Sequence, residues 1–233
     1  MCGRYTFAVD PADLAEVLPG YEFPADVRPR YNIAPTQNVA VVANDGERRV
    51  QLFRWGLIPS WAKDPAIGAR MINARAETVA EKPSFRAAFK RRRCLVLADG
   101  YYEWRKETGG AKKTPFHIRL KPAPSKETRG VQRSRPFAFA GLWETWDSPD
   151  GGPLRTCTII TTTPNAALVA IHDRMPVILA PRDYAMWLAR ADTPPATLAP
   201  LLKPYPADEM EAVRVSTFVN NPRNDDPRCI ESD

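Results

Sequence analysis

No apolar stretch of this chain is long enough to cross a bilayer. The longest runs, such as Cys94 to Ala98 and Val177 to Ala180, fall far short of the ~20 residues a spanning helix needs. Metal-ligand spacing is missing as well. The four cysteines, Cys2, Cys94, Cys157 and Cys229, form no CxxC or Cys/His pattern, and no charged-then-apolar leader precedes them. These absences argue against a disulfide framework and a structural zinc, and the expectation is a cytoplasmic protein with no cofactor, no metal and no membrane partner. No fixed-period repeat is present.

The 233 residues are 44% hydrophobic and 26% charged, which suits a single globular domain over 1–233. Thirty-three Lys and Arg against 27 Asp and Glu leave a formal charge of +6. That balance favours a polyanionic partner, although a basic charge alone is weak support. Twenty-four prolines cut the chain into brief elements. The pattern predicts a helix over Pro11 to Leu18 with Asp10 as N-cap, and strands over Val39 to Val42 and Val50 to Trp55 joined by the hairpin signal Asn44-Asp45-Gly46. A short helix over Ser84 to Arg91 and a buried strand over Cys94 to Ala98 follow. Asp99-Gly100 breaks that strand, and Tyr101 to Trp104 resumes it before a turn over Lys106 to Lys113. Phe116 to Leu120, Phe137 to Trp143 and Thr156 to Thr161 read as strands. Helices are expected at Pro164 to Ala170 behind Thr163, at Arg182 to Ala191 and at Pro195 to Leu202. Lys121 to Pro136 reads as an exposed basic loop, 225–233 as a short tail, and Lys90-Arg91-Arg92-Arg93 as a solvated helix end that steers polyanions inward.

Cys2 stands directly behind Met1. Removal of Met1 leaves an amine and a thiol on one residue, a pair that no internal cysteine offers. The amine adds to an aldehyde as an imine, and the thiolate then closes onto the imine carbon to give a five-membered thiazolidine. Unperturbed, the two groups titrate near ~8 and ~8.5, so useful fractions of both nucleophiles exist at neutral pH. A small residue after the initiator is common, however, and Cys2 alone decides nothing. Three further segments carry chemistry: Met71-Ile72-Asn73-Ala74-Arg75-Ala76-Glu77-Thr78, Ala98-Asp99-Gly100-Tyr101-Tyr102-Glu103-Trp104, and Ala170-Ile171-His172-Asp173-Arg174-Met175-Pro176. Only folding can bring them together.

With Arg30-Tyr31-Asn32-Ile33-Ala34-Pro35-Thr36 and Arg54-Trp55-Gly56-Leu57-Ile58-Pro59-Ser60-Trp61, these segments make the chain resemble the SRAP family of SOS response-associated peptidases, which includes proteins that crosslink to abasic sites in DNA. The resemblance runs from Cys2 to about Asn224. It implies an α+β fold in a single domain, with predominantly antiparallel, barrel-like β-sheets, short peripheral helices and Cys2 at the floor of a basic groove. The implied partner is single-stranded DNA with abasic sites, captured by a monomer as a thiazolidine on Cys2 after autocatalytic or other removal of Met1, near the nucleoid in a bacterium.

Residue roles follow from the chemistry and the resemblance together. Loss of water from the hemiaminal and opening of the sugar both need a general acid and base. Glu103 matches the family's carboxylate, and its neighbours Tyr101, Tyr102 and Trp104 suggest a shielded pocket that raises its pKa. By residue type alone it reads equally well as an exposed strand residue. The resemblance makes His172 the contact to the sugar oxygen and Asn73 the residue that orients the Cys2 amine; unaided, they read as a structural histidine and a turn residue. For DNA binding, Arg4 and Arg75 offer charge and Trp61 and Trp104 stacking faces, with Asn32, Pro35 and Thr161 completing the wall. Arg4 and Arg75 each lie two residues beyond a catalytic position, so in extended chain they share its face. Where some relatives carry adjacent tryptophans, this chain has Trp61-Ala62. Two other readings stand beside this one: an amidohydrolase or peptidase using Cys2 as an N-terminal nucleophile, and a non-covalent single-strand binding module.

Overall fold

Short apolar runs separated by prolines and turn residues favour strands over helices, and strands dominate. A computed structural model describes residues 2–9, 11–107, 109, 113–122, 135–149 and 151–233. The strands are β1 (Tyr5–Phe7), β2 (Arg30–Ile33), β3 (Asn38–Ala43), β4 (Gln51–Trp55), β5 (Asn73–Arg75), β6 (Arg93–Ala98), β7 (Gly100–Lys106), β8 (Lys113–Leu120), β9 (Phe137–Ser148), β10 (Gly152–Thr162), β11 (Met175–Pro176), β12 (Ile178–Leu179) and β13 (Met210–Arg214). Four short helices lie around them: α1 (Pro11–Val17), α2 (Arg86–Arg91), α3 (Tyr184–Trp187) and α4 (Pro195–Leu198).

One sheet runs β13-β8-β7-β1-β2, antiparallel throughout. The other is built on β10, β9, β6, β3 and β4, with the small strands β5, β11 and β12 at its margins. It too is antiparallel except where β10 runs parallel to β4 and to β5. The fold is thus α+β, with barrel-like antiparallel sheets and small peripheral helices. The inward faces share one apolar core, in which Tyr5 sets its ring edge-on against Trp55 and Phe139. A smaller cluster on the far side of β7 joins Tyr102, Val215, Val219 and Cys229.

The β3–β4 hairpin and the strands at β6 to β10 form as the sequence pattern predicts, with β7 to β10 all running longer than expected. The helix expected over Pro164 to Ala170 does not form. Instead, Asn165 starts an isolated turn: its side-chain oxygen accepts from the Ala167 N–H and its amide donates to the Tyr205 carbonyl, competing with helical bonding. The two late helices are shorter than expected. Pro200 cannot donate a backbone bond and ends α4 early. The end of α3 is captured by Arg93, which donates to the carbonyls of Trp187 and Ala189 and, at the end of α2, to those of Phe89 and Lys90. Arg93 is therefore fully buried, and only Lys90 and Arg91 of the basic run are exposed. The expected Asp10 cap and most of the Lys106 to Lys113 turn and Lys121 to Pro136 loop lie outside the described residues. Residues 225–233 are tied down: Asp225 accepts from the backbone N–H groups of Tyr31 and Asn32, and Cys229 is buried.

Two glycines are demanded by close approach. Gly56, with φ +130°, lies against Gly68, and a Cβ on Gly56 would fall 2.6 Å from the Gly68 carbonyl oxygen. At Gly100 a Cβ would stand 2.1 Å from His117 Nε2. Asp99-Gly100 thus makes the corner between β6 and β7 and leaves room for a buried histidine.

Candidate active site

The site is set by the register of β1 against β7. Tyr5 pairs with Tyr101, and the Tyr102 N–H donates to the Arg4 carbonyl at 2.9 Å. The chain preceding β1 is thereby led along β7 toward Glu103, and Cys2 is fully buried there. Strand alternation places Tyr101 and Glu103 on the face toward the main core, and Tyr102 and Trp104 on the opposite face. Of the three aromatics expected to shield Glu103, only Tyr101 is on its side.

The second sheet delivers the partners. Parallel pairing with β10 sets Asn73 opposite Ile159 and Arg75 opposite Thr161, and the Asn73 side-chain amide donates to the Cys2 carbonyl at 2.8 Å. His172 follows the Asn165 turn and precedes β11. Its Nε2 lies 3.7 Å from a Glu103 carboxylate oxygen. Four separate segments thus bring Cys2, Asn73, Glu103 and His172 together.

Burial governs the protonation of these groups. It pushes the Cys2 thiol well above its ordinary value, and the nearby Glu103 carboxylate adds to the effect. Burial raises Glu103 to about 7, with Asp173 acting in the same sense. Burial also lowers His172. The His172 Nδ1 accepts the Arg174 backbone N–H at 3.0 Å, so the neutral ring carries its proton on Nε2, toward Glu103. Asp173 approaches the same Nδ1 at 2.9 Å, but its side chain is 87% exposed and water screens it; above the lowered pKa the neutral tautomer prevails. At neutral pH the site therefore holds a carboxyl group poised between its two forms beside a neutral N–H donor.

A second group lies across β7. Arg4 donates to Asn32 Oδ1 at 2.7 Å and to the Val219 carbonyl at 3.0 Å, with its guanidinium 5.8 Å from the centre of the Trp104 ring. Arg4 therefore belongs with Trp104, and the expectation that it shares the face of Cys2 fails because the chain before Tyr5 is not a regular strand. Trp104 Nε1 donates to Asn220 Oδ1 at 2.7 Å. Asn32 is sealed from solvent, and its amide nitrogen donates to the carbonyls of Val219, Asn221 and Asn224. It stands behind the wall and shapes it. Thr161 is likewise buried. Pro35 is half-buried in a turn in which Thr36 takes the left-handed φ of 72°, a strained setting for a β-branched residue. Trp61 is 61% exposed and Arg75 is exposed, both as accessible surface contacts require.

Sequence reasoning missed two contributors. Arg174 pairs with Glu77 at 2.6 Å and donates to the Thr161 carbonyl at 2.7 Å, bracing the His172 turn against β10; its place two residues after His172 was the available signal. The segment around Asn220 had none, because more than a hundred residues separate it from Trp104. Among the described residues no group of three or more His, Cys, Asp or Glu side chains is placed to hold a metal ion, and no helix is long and apolar enough to cross a membrane.

A cysteine at position 2 held among an amide, a carboxyl group and an imidazole, on paired antiparallel sheets, defines the class. The family model for SOS response associated peptidase (SRAP) matches residues 1–222, and the chain belongs to that family. Among its relatives is the abasic site processing protein YoqW of Bacillus subtilis, 48% identical with full coverage of both chains. The abasic site processing protein HMCES of Xenopus tropicalis is 31% identical over 99% of this chain and 78% of its own. A solved structure of a protein from Bacteroides thetaiotaomicron superposes with a TM-score of 0.84 at 29% identity, covering both chains fully.

Proposed function

We propose that this protein processes abasic sites in DNA, capturing the ring-opened sugar of single-stranded DNA as a thiazolidine on Cys2 once Met1 has been removed. The names of its relatives support abasic sites as substrate. The observation that carries the covalent reading is the convergence of Asn73 on the Cys2 carbonyl and of His172 on Glu103.

In this reading the freed amine attacks the sugar aldehyde carbon to form a hemiaminal, which loses water to the imine. The Cys2 sulfur then bonds to the imine carbon while the C=N electron pair moves to nitrogen and takes up a proton. Glu103, close to neutral in its titration, supplies the proton that leaves with water and receives the one that leaves the thiol. The Nε2–H of His172 is suited to donate to the sugar oxygen and assist ring opening. Asn73 holds the Cys2 backbone so that the amine keeps one orientation. Arg75 and Trp61 offer exposed charge and a stacking face for the strand, and Arg4 with Trp104 a second pair behind it.

The test is to mix the processed protein with single-stranded DNA holding one abasic site, then denature it and look for a shifted band. Failure to crosslink in the intact site, with binding retained, would leave a non-covalent module; peptide cleavage without a crosslink would favour an N-terminal nucleophile hydrolase.

A further inference from the structure

Three phenol oxygens in the core have no hydrogen-bond partner among the described residues, those of Tyr5, Tyr101 and Tyr184, and of these Tyr5 and Tyr101 are fully buried and lie side by side. These two residues are directly paired, and both rings pack against Phe139, at 5.7 and 6.0 Å between ring centres. A buried hydroxyl without a partner carries a desolvation cost that a phenylalanine in the same place avoids. Such a cost is offset where an acceptor appears during function.

The surroundings of the two oxygens differ. Tyr101 shares the inward face of β7 with Glu103, one step along it from the residue pairing that leads to Cys2. The charges that bear on its phenol are those of Cys2 first and Glu103 second. At Tyr5 the Cys157 sulfur weighs more than Cys2 does, and Cys94 also contributes. Burial keeps both phenols protonated, so each retains an O–H to donate.

Resting on the thiazolidine reading, we propose that the Tyr101 hydroxyl is a catalytic donor to the Cys2 sulfur, stabilising the thiolate that closes the ring. A neutral thiol is a weak acceptor, which fits the absence of a bond in the resting state; a thiolate is a strong one. In the step itself the thiol proton passes to Glu103, the sulfur turns its charge toward the Tyr101 O–H, the S–C bond forms, and the proton returns to the ring nitrogen as the C=N pair collapses onto it. Tyr101 gives up no proton overall. A donor that raises the thiolate fraction about a hundredfold forfeits roughly tenfold of this in nucleophilicity, leaving a gain of about tenfold in rate.

The experiment compares Tyr101→Phe and Tyr5→Phe with the parent, using processed protein and abasic single-stranded DNA. Borohydride quenching at each time point counts the imine, and heating without reductant counts the closed ring. Tyr101→Phe should form imine at the parent rate, close the ring about tenfold more slowly, and melt at the parent temperature or above because an unpaired buried hydroxyl is gone. Tyr5→Phe should close the ring normally. Parent-rate closure by Tyr101→Phe, or equal slowing by both variants, would overturn the assignment. If the parent itself forms neither imine nor ring, the failure lies with the proposed function and not with Tyr101.

Discussion

Replacing Glu103 with glutamine separates the stability of the fold from the chemistry of the site. Burial raises the Glu103 carboxyl from an ordinary 4.5 to about 7, and the residue is only 4% exposed, so the shift reflects a real cost of holding a charge there. Below about pH 4.5 the folded and unfolded chains both hold this proton and the group is neutral in its effect. As pH rises, the unfolded chain releases the proton first, so the folded state loses ground until about pH 7. The accumulated penalty is about 3 kcal/mol at pH 8. Glutamine keeps the shape but cannot ionise. The stability difference between Glu103→Gln and the parent should therefore move in favour of the variant by about 3 kcal/mol between pH 4.5 and pH 8, equivalent to ~6–12 °C in melting temperature for a chain of this size. Urea unfolding of both proteins across that range measures it. Over the same range the variant should crosslink ~10²–10⁴-fold more slowly. A stability difference that stays flat with pH would refute the burial argument, and parent-rate crosslinking would remove Glu103 from the mechanism.

Cys2→Ala should abolish the denaturant-resistant adduct and retain much of the DNA affinity, whereas Cys2→Ser should still give a borohydride-trappable imine; gel shifts with and without reductant distinguish them. His172→Ala should react almost normally with a simple aldehyde and slowly with abasic DNA, since only the latter requires sugar ring opening, and a time course with both substrates reads the contrast. Arg75→Ala should lower the salt slope of DNA binding by about one phosphate contact without loss of stability. Arg4→Ala should also lower the melting temperature, because Arg4 is bonded to Asn32 and Val219. Gly100→Ala should destabilise the fold by about 1–3 kcal/mol or more, because the new methyl group meets His117; thermal denaturation checks it.

Alternation and turn residues made most of the strands legible, from the Asn44-Asp45-Gly46 hairpin to the run Cys94 to Ala98. Helices were overread, since Asn165 and Arg93 redirect backbone groups through contacts distant in sequence. The residues brought together at Cys2 were legible as motifs, but their sidedness was not. That Trp104 faces away from Glu103 depends on β7 carrying a core on each face, and the second core is built by residues beyond Val215. The burial of Asn32 and Thr161 was hidden as well: both are polar, and only the distant carbonyls that their side chains donate to, Val219 for Asn32 and Ala74 for Thr161, explain their position.

The convergence of three backbone carbonyls on the Asn32 side chain bears on how this site can diversify. Its two amide hydrogens are shared among the carbonyls of Val219, Asn221 and Asn224, so the bonds from Asn32 read the path of this strap and not its side chains. Substitutions at exposed positions such as Arg223, whose side chain holds no part of the strap, can change what an incoming strand meets without loosening the frame, whereas the Asn221 side chain accepts the Arg223 N–H and belongs to the frame. A library confined to such exposed positions, with Asn32 and Asn221 untouched, offers altered substrate preference on an unaltered scaffold.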